Sequence, residues 1–276
     1  MKRDYPEHTN VNLRMRFLRP GQMTPPYKSR FYPLMMDLME RDTPSIIRHL
    51  QRMGKQYGRA LRQIAETPPG SINEPRFAEG ELQHWDGAAL YYLVRYAQPG
   101  KIVEIGSGSS TRWMRRAIRD GNLDTKIVVV DAKVKDSWTP AVADTIIEAH
   151  FEDVWNDPRI KLEPNDMLFY SGSHHVVPGS DLVMLVNEYI ARAPSNIWIQ
   201  FHDAFLPDDG PPSVRQANVM ESYIVYTMLA YGNFEIVLPV WALRAGSGYD
   251  IAKTAGQILH IPGVEQAGHS TWVRKQ

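Results

Sequence analysis

Histidine and carboxylate side chains directly follow two predicted strands. Ser171-Gly-Ser-His-His175 comes after one strand, and His202-Asp203 comes after the next. An imidazole with an unperturbed pKa of about 6.5 can take a proton from a hydroxyl or an amine near neutral pH. The carboxyl ends of parallel strands meet at one edge of a sheet, so His174, His202 and Asp203 are the candidate catalytic residues. The alternative for each histidine alone is a hydrogen-bonded loop residue.

The same side chains form a candidate metal site. His174, His202 and Asp203, with His175 as a further donor, offer imidazole and carboxylate ligands that suit Zn²⁺ or Fe²⁺. A metal-free acid–base role is the preferred interpretation. A metal-dependent enzyme built on these residues is the first alternative.

A glycine-containing turn between a strand and a helix indicates a nucleotide site. The stretch Ile102-Val-Glu-Ile-Gly-Ser-Gly-Ser-Ser-Thr111 contains Gly106 and Gly108, which let the backbone pass close to a ligand. The amino end of the following helix offers N–H groups. Asp131 ends the next strand, where its carboxylate can accept hydrogen bonds from ribose hydroxyls. A tight turn without a ligand is the alternative for the glycine pair.

The turn departs from the G-x-G-x-x-G pattern of dinucleotide-binding proteins, and these departures favour S-adenosylmethionine over NAD as the ligand. Thr111 stands where a third glycine is expected, and Glu104 stands two residues before Gly106. A carboxylate there can bind a cationic amino-acid group but would lie awkwardly near a pyrophosphate. The residues predicted to bind the cofactor are Asp131 and, within this stretch, Glu104, Gly106, Ser107, Gly108, Ser110 and Thr111.

Alternating strand-like and helical segments after Asp86 must position these residues. The predicted strands are 101–105, 126–131, 145–151, 166–170 and 196–201, with 159–162 as an alternative third strand. A predicted helix over 87–97 precedes the first strand, and the predicted helices between strands are 111–120 and 179–192. This alternation predicts right-handed βαβ crossovers and a parallel sheet. A helix over 214–231 precedes strands 234–240 and 270–274, which we expect to pair antiparallel at the sheet edge.

The amino-terminal third lacks this alternation of strand-like and helical segments. We expect residues 1–84 to form an arm and a helical cap, and residues 85–276 to form the cofactor-binding domain. Prolines make residues 1–30 irregular, and Thr43-Pro44 predicts the start of a helix that ends near residue 67. Residues 1–66 carry 13 Lys and Arg against 6 Asp and Glu. We interpret this excess as a solvated helix surface, with a basic cap for an acidic partner as the alternative.

Composition excludes several classes of protein. The 276 residues carry 31 basic and 31 acidic side chains, which argues against broad nucleic-acid affinity. The absence of cysteine excludes disulfides and thiolate chemistry, and it fits the reducing cytoplasm where we expect the protein. The chain contains no apolar run long enough for a membrane span and no secretory signal at its start, so we expect no membrane partner.

The second half of the chain resembles a known family. The matching pieces are Trp85-Asp-Gly-Ala-Ala-Leu90, Val103-Glu-Ile-Gly-Ser-Gly-Ser-Ser-Thr111, Asp166 to Phe169, His174 to Asp181, His202-Asp203 with Pro207, Glu221 with Tyr223, and Ser270 with Trp272. In this order, over roughly 190 residues, they resemble class I S-adenosylmethionine-dependent methyltransferases, and specifically the small-molecule group called methyltransferase family 24 with its bacterial relatives.

This resemblance implies an α/β, Rossmann-like sheet of seven strands with the last strand antiparallel. It implies methyl transfer from S-adenosylmethionine to a small-molecule acceptor, which we expect at oxygen, and it adds Glu152 or Asp153 near the adenine. Relatives usually carry Asp-Ser-Ser-His where this chain has Ser171-Gly-Ser-His174, so the carboxylate of a magnesium site is missing. A catalytically degenerate cofactor-binding protein is therefore the second alternative.

Three expectations concern surfaces. Glu221 and Tyr223 are two residues apart in the long predicted helix, and we expect both to pack on the helix surface, with a position bordering the pocket as the alternative for either. The stripe Tyr32, Leu34, Met35, Met36, Leu38 and Met39 is expected to fill the core or a dimer seam, with a lid over the substrate as the alternative. The exposed apolar stripe of the cap makes a homodimer plausible.

Overall fold

A computed structural model describes residues 32–66, 70–77, 82–134, 136–212, 214 and 219–276 of the chain. The strands are β1 (Lys101–Ile105), β2 (Lys126–Asp131), β3 (Thr145–Glu148), β4 (Met167–Tyr170), β5 (Trp198–Phe201), β6 (Phe234–Pro239) and β7 (Thr271–Lys275). The helices are α1 (Pro33–Arg52), α2 (Gly58–Glu66), α3 (His84–Ala97), α4 (Ser109–Gly121), α5 (Thr139–Val142), α6 (Phe151–Val154), α7 (Asp181–Met184), α8 (Glu221–Tyr231), α9 (Val240–Leu243) and α10 (Asp250–Ile258). Residues 53–57 and 185–190 are π-helical, and residues 158–160 form a 3₁₀ turn.

The strands of the described residues form one sheet in the order β3-β2-β1-β4-β5-β7-β6. Strands β1 to β5 pair in parallel, whereas β7 runs antiparallel to both β5 and β6. The expected Rossmann-like sheet with an antiparallel last strand is confirmed. The third strand covers 145–148 rather than 159–162, as preferred.

The order of this sheet locates a crevice. The central strands are short apolar runs whose side chains are buried on both faces, as is typical of parallel strands covered by helices. The chain moves outward from β1 to β2 and β3 and then returns to the other side of β1 with β4. Ligands of open α/β sheets bind at such a reversal, outside the carboxyl ends of the strands.

Helix α1 begins eleven residues earlier than the sequence predicted. Pro33, not Pro44, occupies its first turn, where a proline nitrogen needs no hydrogen. Pro44 lies inside the helix because the same buried face continues through it, from Met35 and Met39 to Ile46. Core packing is thereby confirmed for the two methionines, whereas Leu34 is half exposed.

Helix α1 lies against the outer strand β6. The Asp42 carboxylate accepts the backbone N–H of Ile236 at 2.8 Å, and Arg41 donates to the carbonyl of Phe234 at 2.9 Å. These bonds satisfy backbone groups that an edge strand would otherwise expose.

Other element boundaries differ modestly from the prediction. The helix expected over 179–192 is α7 followed by a π-helical segment, and α8 begins at Glu221. The arm predicted over 1–30 and residues 215–218 of the predicted long helix lie outside the described residues. Among the helices that are described, none combines the length and apolarity needed to cross a bilayer.

Candidate active site

The turn after β1 requires glycine at one position and has open space at the other. Gly106 has φ +80°, and a Cβ there would lie 1.9 Å from the carbonyl oxygen of Ser171. The loops after β1 and β4 are therefore in direct contact. A Cβ on Gly108 would have no neighbour within 4 Å, so this backbone is open to a ligand.

Asp131, at the end of β2, is held by the same turn. Its Oδ2 accepts the backbone N–H of Ser107 at 2.8 Å and the Ser107 hydroxyl at 2.6 Å. Its Oδ1 accepts the N–H of Lys133 at 2.9 Å. These bonds fix the carboxylate beside the glycine turn.

Glu104 is buried beneath the start of α4. Its two carboxylate oxygens accept the hydroxyls of Ser110 at 2.5 Å and Thr111 at 2.6 Å. Burial raises the pKa of Glu104 to about 7, although the two hydroxyl bonds oppose the shift. The carboxylate thus ties β1 to the helix start, and it does not reach the surface of the cleft described next.

A cleft of about 970 Å³ joins the loops after β1, β2, β4 and β5. Of the residues singled out in the sequence, it is lined by Gly106, Ser107, Gly108, Ser110, Asp131, Glu152, His174, His175 and His202. Glu104, Thr111, Asp153 and Asp203 are not among its lining residues. The proposed cofactor loop and the two histidine loops therefore share one cavity.

Asp181 shapes the loop after β4. Its Oδ2 accepts the N–H of Ser173 at 2.8 Å and the hydroxyl of Tyr170 at 3.1 Å, and its Oδ1 accepts the Ser173 hydroxyl. A Cβ on Gly172 would lie 2.2 Å from Asp181 Oδ2, so glycine allows this close approach. The loop is thereby fixed just before His174.

His174 pairs with a buried glutamate from α8. The backbone of His174 has φ +63°, a left-handed conformation that is uncommon for a residue with a side chain. Its Nδ1 contacts Oε2 of Glu221, and its carbonyl accepts the N–H of Met220 at 2.9 Å. Glu221 is wholly buried, and this burial raises its pKa to about 7 against the opposing hydrogen bond and charge of His174.

The surface position expected for Glu221 is therefore wrong. Glu221 is the first residue of α8, and its buried side chain faces the loop after β4. Tyr223 is 38% exposed, as expected. The spacing of two residues placed them on different faces, but the sequence did not indicate which face was buried.

His202 and Asp203 meet a histidine from the far end of the chain. Asp203 has φ +55°, and its Oδ1 lies 2.6 Å from Nδ1 of His269. The ring centroids of His202 and His269 are 4.6 Å apart. Burial, then the neighbouring His269, lowers the pKa of His202, so its ring is neutral at pH 7.

Asp203 is the charged member of this cluster next to the neutral ring of His202. Burial raises the pKa of Asp203, but the bond with His269 and the charges of the surrounding histidines lower it further than burial raises it. Asp203 is therefore ionised near neutral pH. Its Oδ2 lies 3.9 Å from Nε2 of His174, which links the two histidine loops.

Asp86, in the first turn of α3, fixes His269 and Ser270, the two residues that precede β7. Its Oδ1 accepts the Ser270 N–H at 3.0 Å and the Ser270 hydroxyl at 2.5 Å, and its Oδ2 accepts the His269 N–H at 3.1 Å. Sequence reasoning assigned no role to Asp86 or His269. Asp86 lies within the Trp85–Leu90 piece of the family resemblance, and His269 directly precedes Ser270.

The predicted metal ligands are not the ones brought together. In the described part of the chain, potential ligand atoms within 4.8 Å of one another come from Asp86, His202 and His269. His202 is thus shared with the predicted set, but His174 and Asp203 are replaced. The α3 carboxylate and the histidine just before β7 could not be paired from the sequence.

Comparison with known proteins gives distant structural likenesses. No protein-family model matches the chain, and no curated protein matches its sequence. An SAH-bound methyltransferase of Podospora anserina has 15% identity and a TM-score of 0.42, over 88% of this chain and 94% of its own. A proposed methyltransferase of Thermobifida fusca YX has 17% identity and a TM-score of 0.41, over 84% and 94%. A proposed O-methyltransferase of Klebsiella pneumoniae has 17% identity and a TM-score of 0.38, over 74% and 90%. Likenesses of this size do not assign a family, a substrate or a reaction.

Proposed function

We propose that this protein is an S-adenosylmethionine-dependent methyltransferase that methylates an oxygen atom of a small-molecule acceptor. The observation that carries the proposal is the single cleft lined by the glycine turn, Asp131, His174 and His202. Its volume of about 970 Å³ is at the upper end of the range for small-molecule sites, which leaves room for a cofactor and an acceptor together. In this proposal residues 85–276 form the catalytic domain and residues 1–84 its cap.

The residues on one side of the cleft fit an adenosyl group. The backbone at Gly108 is open to close approach, and the Asp131 carboxylate would accept hydrogen bonds from the ribose hydroxyls. Glu152 lines the cleft and would lie near the adenine. When bound, S-adenosylmethionine supplies an electrophilic methyl group at a sulfonium, and Glu104 acts indirectly by holding the turn.

His174 is the proposed general base. With Nδ1 donating to Glu221, Nε2 is the nitrogen that accepts the proton of the acceptor hydroxyl. The ionised Asp203 carboxylate, 3.9 Å from Nε2, stabilises the imidazolium that forms. His202 stays neutral and borders the acceptor, which the cleft holds in line for transfer.

Isothermal calorimetry with S-adenosylmethionine and S-adenosylhomocysteine tests the cofactor assignment, with NAD as the comparison ligand. We expect micromolar binding of both adenosyl ligands and none of NAD. Asp131→Asn keeps the shape of the side chain but removes its charge. It should weaken binding about ten- to a hundredfold, because hydrogen bonds to a charged group contribute about 1.5–3 kcal/mol.

Asp124→Asn is the matched control, since Asp124 is exposed beyond the end of α4. It should bind the adenosyl ligands like the wild type. Equal affinity of the Asp131→Asn variant and the wild type would contradict the ribose assignment. Absence of binding by either adenosyl ligand would contradict the proposed function.

A further inference from the structure

We infer that Asp86, His202 and His269 form a binding site for a divalent transition-metal ion such as Zn²⁺. The three residues come from the first turn of α3, the loop after β5 and the residues before β7. Their potential ligand atoms all lie within 4.8 Å of one another. Ligand atoms about 2.1 Å from a tetrahedral zinc are roughly 3.4 Å apart, so modest side-chain adjustment would complete the site.

The donor set selects the kind of ion. Two imidazoles and one carboxylate suit zinc and neighbouring first-row metals, whereas Mg²⁺ and Ca²⁺ prefer oxygen ligands throughout. Three protein ligands also leave a coordination position for water, as in catalytic zinc sites. The site therefore differs in ligand chemistry from a carboxylate-rich magnesium site.

The buried nitrogen of His202 points to a ligand. His202 is 2% exposed, and its Nδ1 has no hydrogen-bond partner among the described residues. An unsatisfied buried nitrogen is unfavourable, so such atoms usually have a partner. A metal ion held with Asp86 and His269 would supply that partner.

The surroundings of the other two ligands resemble an outer coordination shell. Asp203 Oδ1 lies 2.6 Å from Nδ1 of His269, the carboxylate–histidine contact that orients a histidine for ligation through Nε2. Asp86 is oriented by the N–H and hydroxyl of Ser270 and by the N–H of His269. A divalent cation would also balance the adjacent Asp86 and Asp203 carboxylates.

The site lies next to the cleft but is separate from the proposed proton transfer. His202 lines the cleft, whereas Asp86 and His269 do not. An ion there would lie behind the wall that faces the acceptor. No step of the proposed methyl transfer uses it, so the two proposals can fail independently.

The test is a Zn²⁺ titration of chelator-stripped protein without any adenosyl ligand, followed by competition with a zinc indicator. We expect one equivalent to bind with submicromolar affinity and Mg²⁺ not to compete. Substitution with Co²⁺ should give visible absorption bands of a four- or five-coordinate nitrogen–oxygen site. These readouts do not depend on enzymatic activity.

His269→Ala should weaken Zn²⁺ binding at least a hundredfold, whereas His260→Ala, at an exposed histidine, should leave it unchanged. Asp86→Asn keeps an acceptor for Ser270 and should also weaken Zn²⁺ binding, so the assignment does not depend on one variant. Circular dichroism of the metal-free variants verifies folding. Equal zinc affinity in the wild type and both site variants, or no stoichiometric binding, would overturn the inference.

Discussion

Two fully buried glutamates show how partners decide the role of a side chain. Burial raises the pKa of both Glu104 and Glu221 to about 7. Glu104 accepts hydroxyls that hold the start of α4. Glu221 instead contacts the imidazole of His174, the proposed general base. The first carboxylate is therefore structural, and the second belongs to the proposed base.

The raised pKa of Glu104 predicts a pH dependence of stability. The folded protein retains this proton up to about pH 7, whereas the unfolded chain releases it near pH 4.5. The contribution of Glu104 to the free energy of unfolding is therefore greatest below pH 4.5 and is lost as pH rises toward 7. Glu104→Gln should become more stable relative to the wild type by up to about 3 kcal/mol between pH 5 and 8. Urea unfolding of both proteins at pH 5 and at pH 8 measures this difference in the free energy of unfolding.

The matched control for this prediction is Glu163→Gln, because Glu163 is exposed. It should change the unfolding free energy by the same small amount at both pH values. A constant difference between Glu104→Gln and the wild type across this range would show that Glu104 ionises normally.

The His174–Glu221 pair predicts a specific kinetic defect. Glu221→Gln keeps the shape of the side chain but removes the charge that stabilises the imidazolium. We expect kcat to fall about a hundredfold with little change in the affinity for S-adenosylmethionine. Turnover of the first acceptor identified by screening with labelled methyl donor, together with calorimetry, separates the two effects. Wild-type kcat in this variant would exclude Glu221 from the proton transfer.

At the scale of elements, the turn between β1 and α4 is the critical connection. It contacts the loop after β4 through Gly106 and the end of β2 through Ser107. Because three strands end at this turn, a change in its backbone conformation displaces both sides of the cleft.

The two glycines of this turn should respond differently to alanine. Gly106→Ala combines φ +80° with a 1.9 Å overlap on Ser171, and we expect it to destabilise the fold by about 3 kcal/mol or more. Gly108→Ala has extended backbone and no neighbour within 4 Å, so its unfolding free energy should stay within about 1 kcal/mol of the wild type. Chemical denaturation compares them, and equal stability of both variants would contradict this description of the turn.

At the scale of the whole molecule, local patterns predicted the sheet better than the site. Alternating apolar runs and turn residues indicated β1 to β7, because those signals lie within each segment. The start of α1 was missed because burial of Met35 and Met39 against the rest of the fold outweighs the proline signal at Pro44.

Contacts between site residues that are far apart in the sequence could not be predicted from these local patterns. His269 and Ser270 meet Asp86 across more than 180 residues, and His174 meets Glu221 across 47. Periodicity within a segment does not determine such contacts. The sequence therefore singled out the glycine turn, Asp131, His174 and His202, which line one cleft, but it did not pair His174 with Glu221 or His269 with Asp86 and Asp203.

A crystal structure of the protein with S-adenosylhomocysteine tests the central claim most directly. We predict the ribose hydroxyls within hydrogen-bond distance of Asp131, the adenosyl group against the turn at Gly106 and Gly108, and the sulfur facing the side of the cleft that holds His174. A complex with the ligand bound outside this cleft, or with its ribose remote from Asp131, would contradict the account.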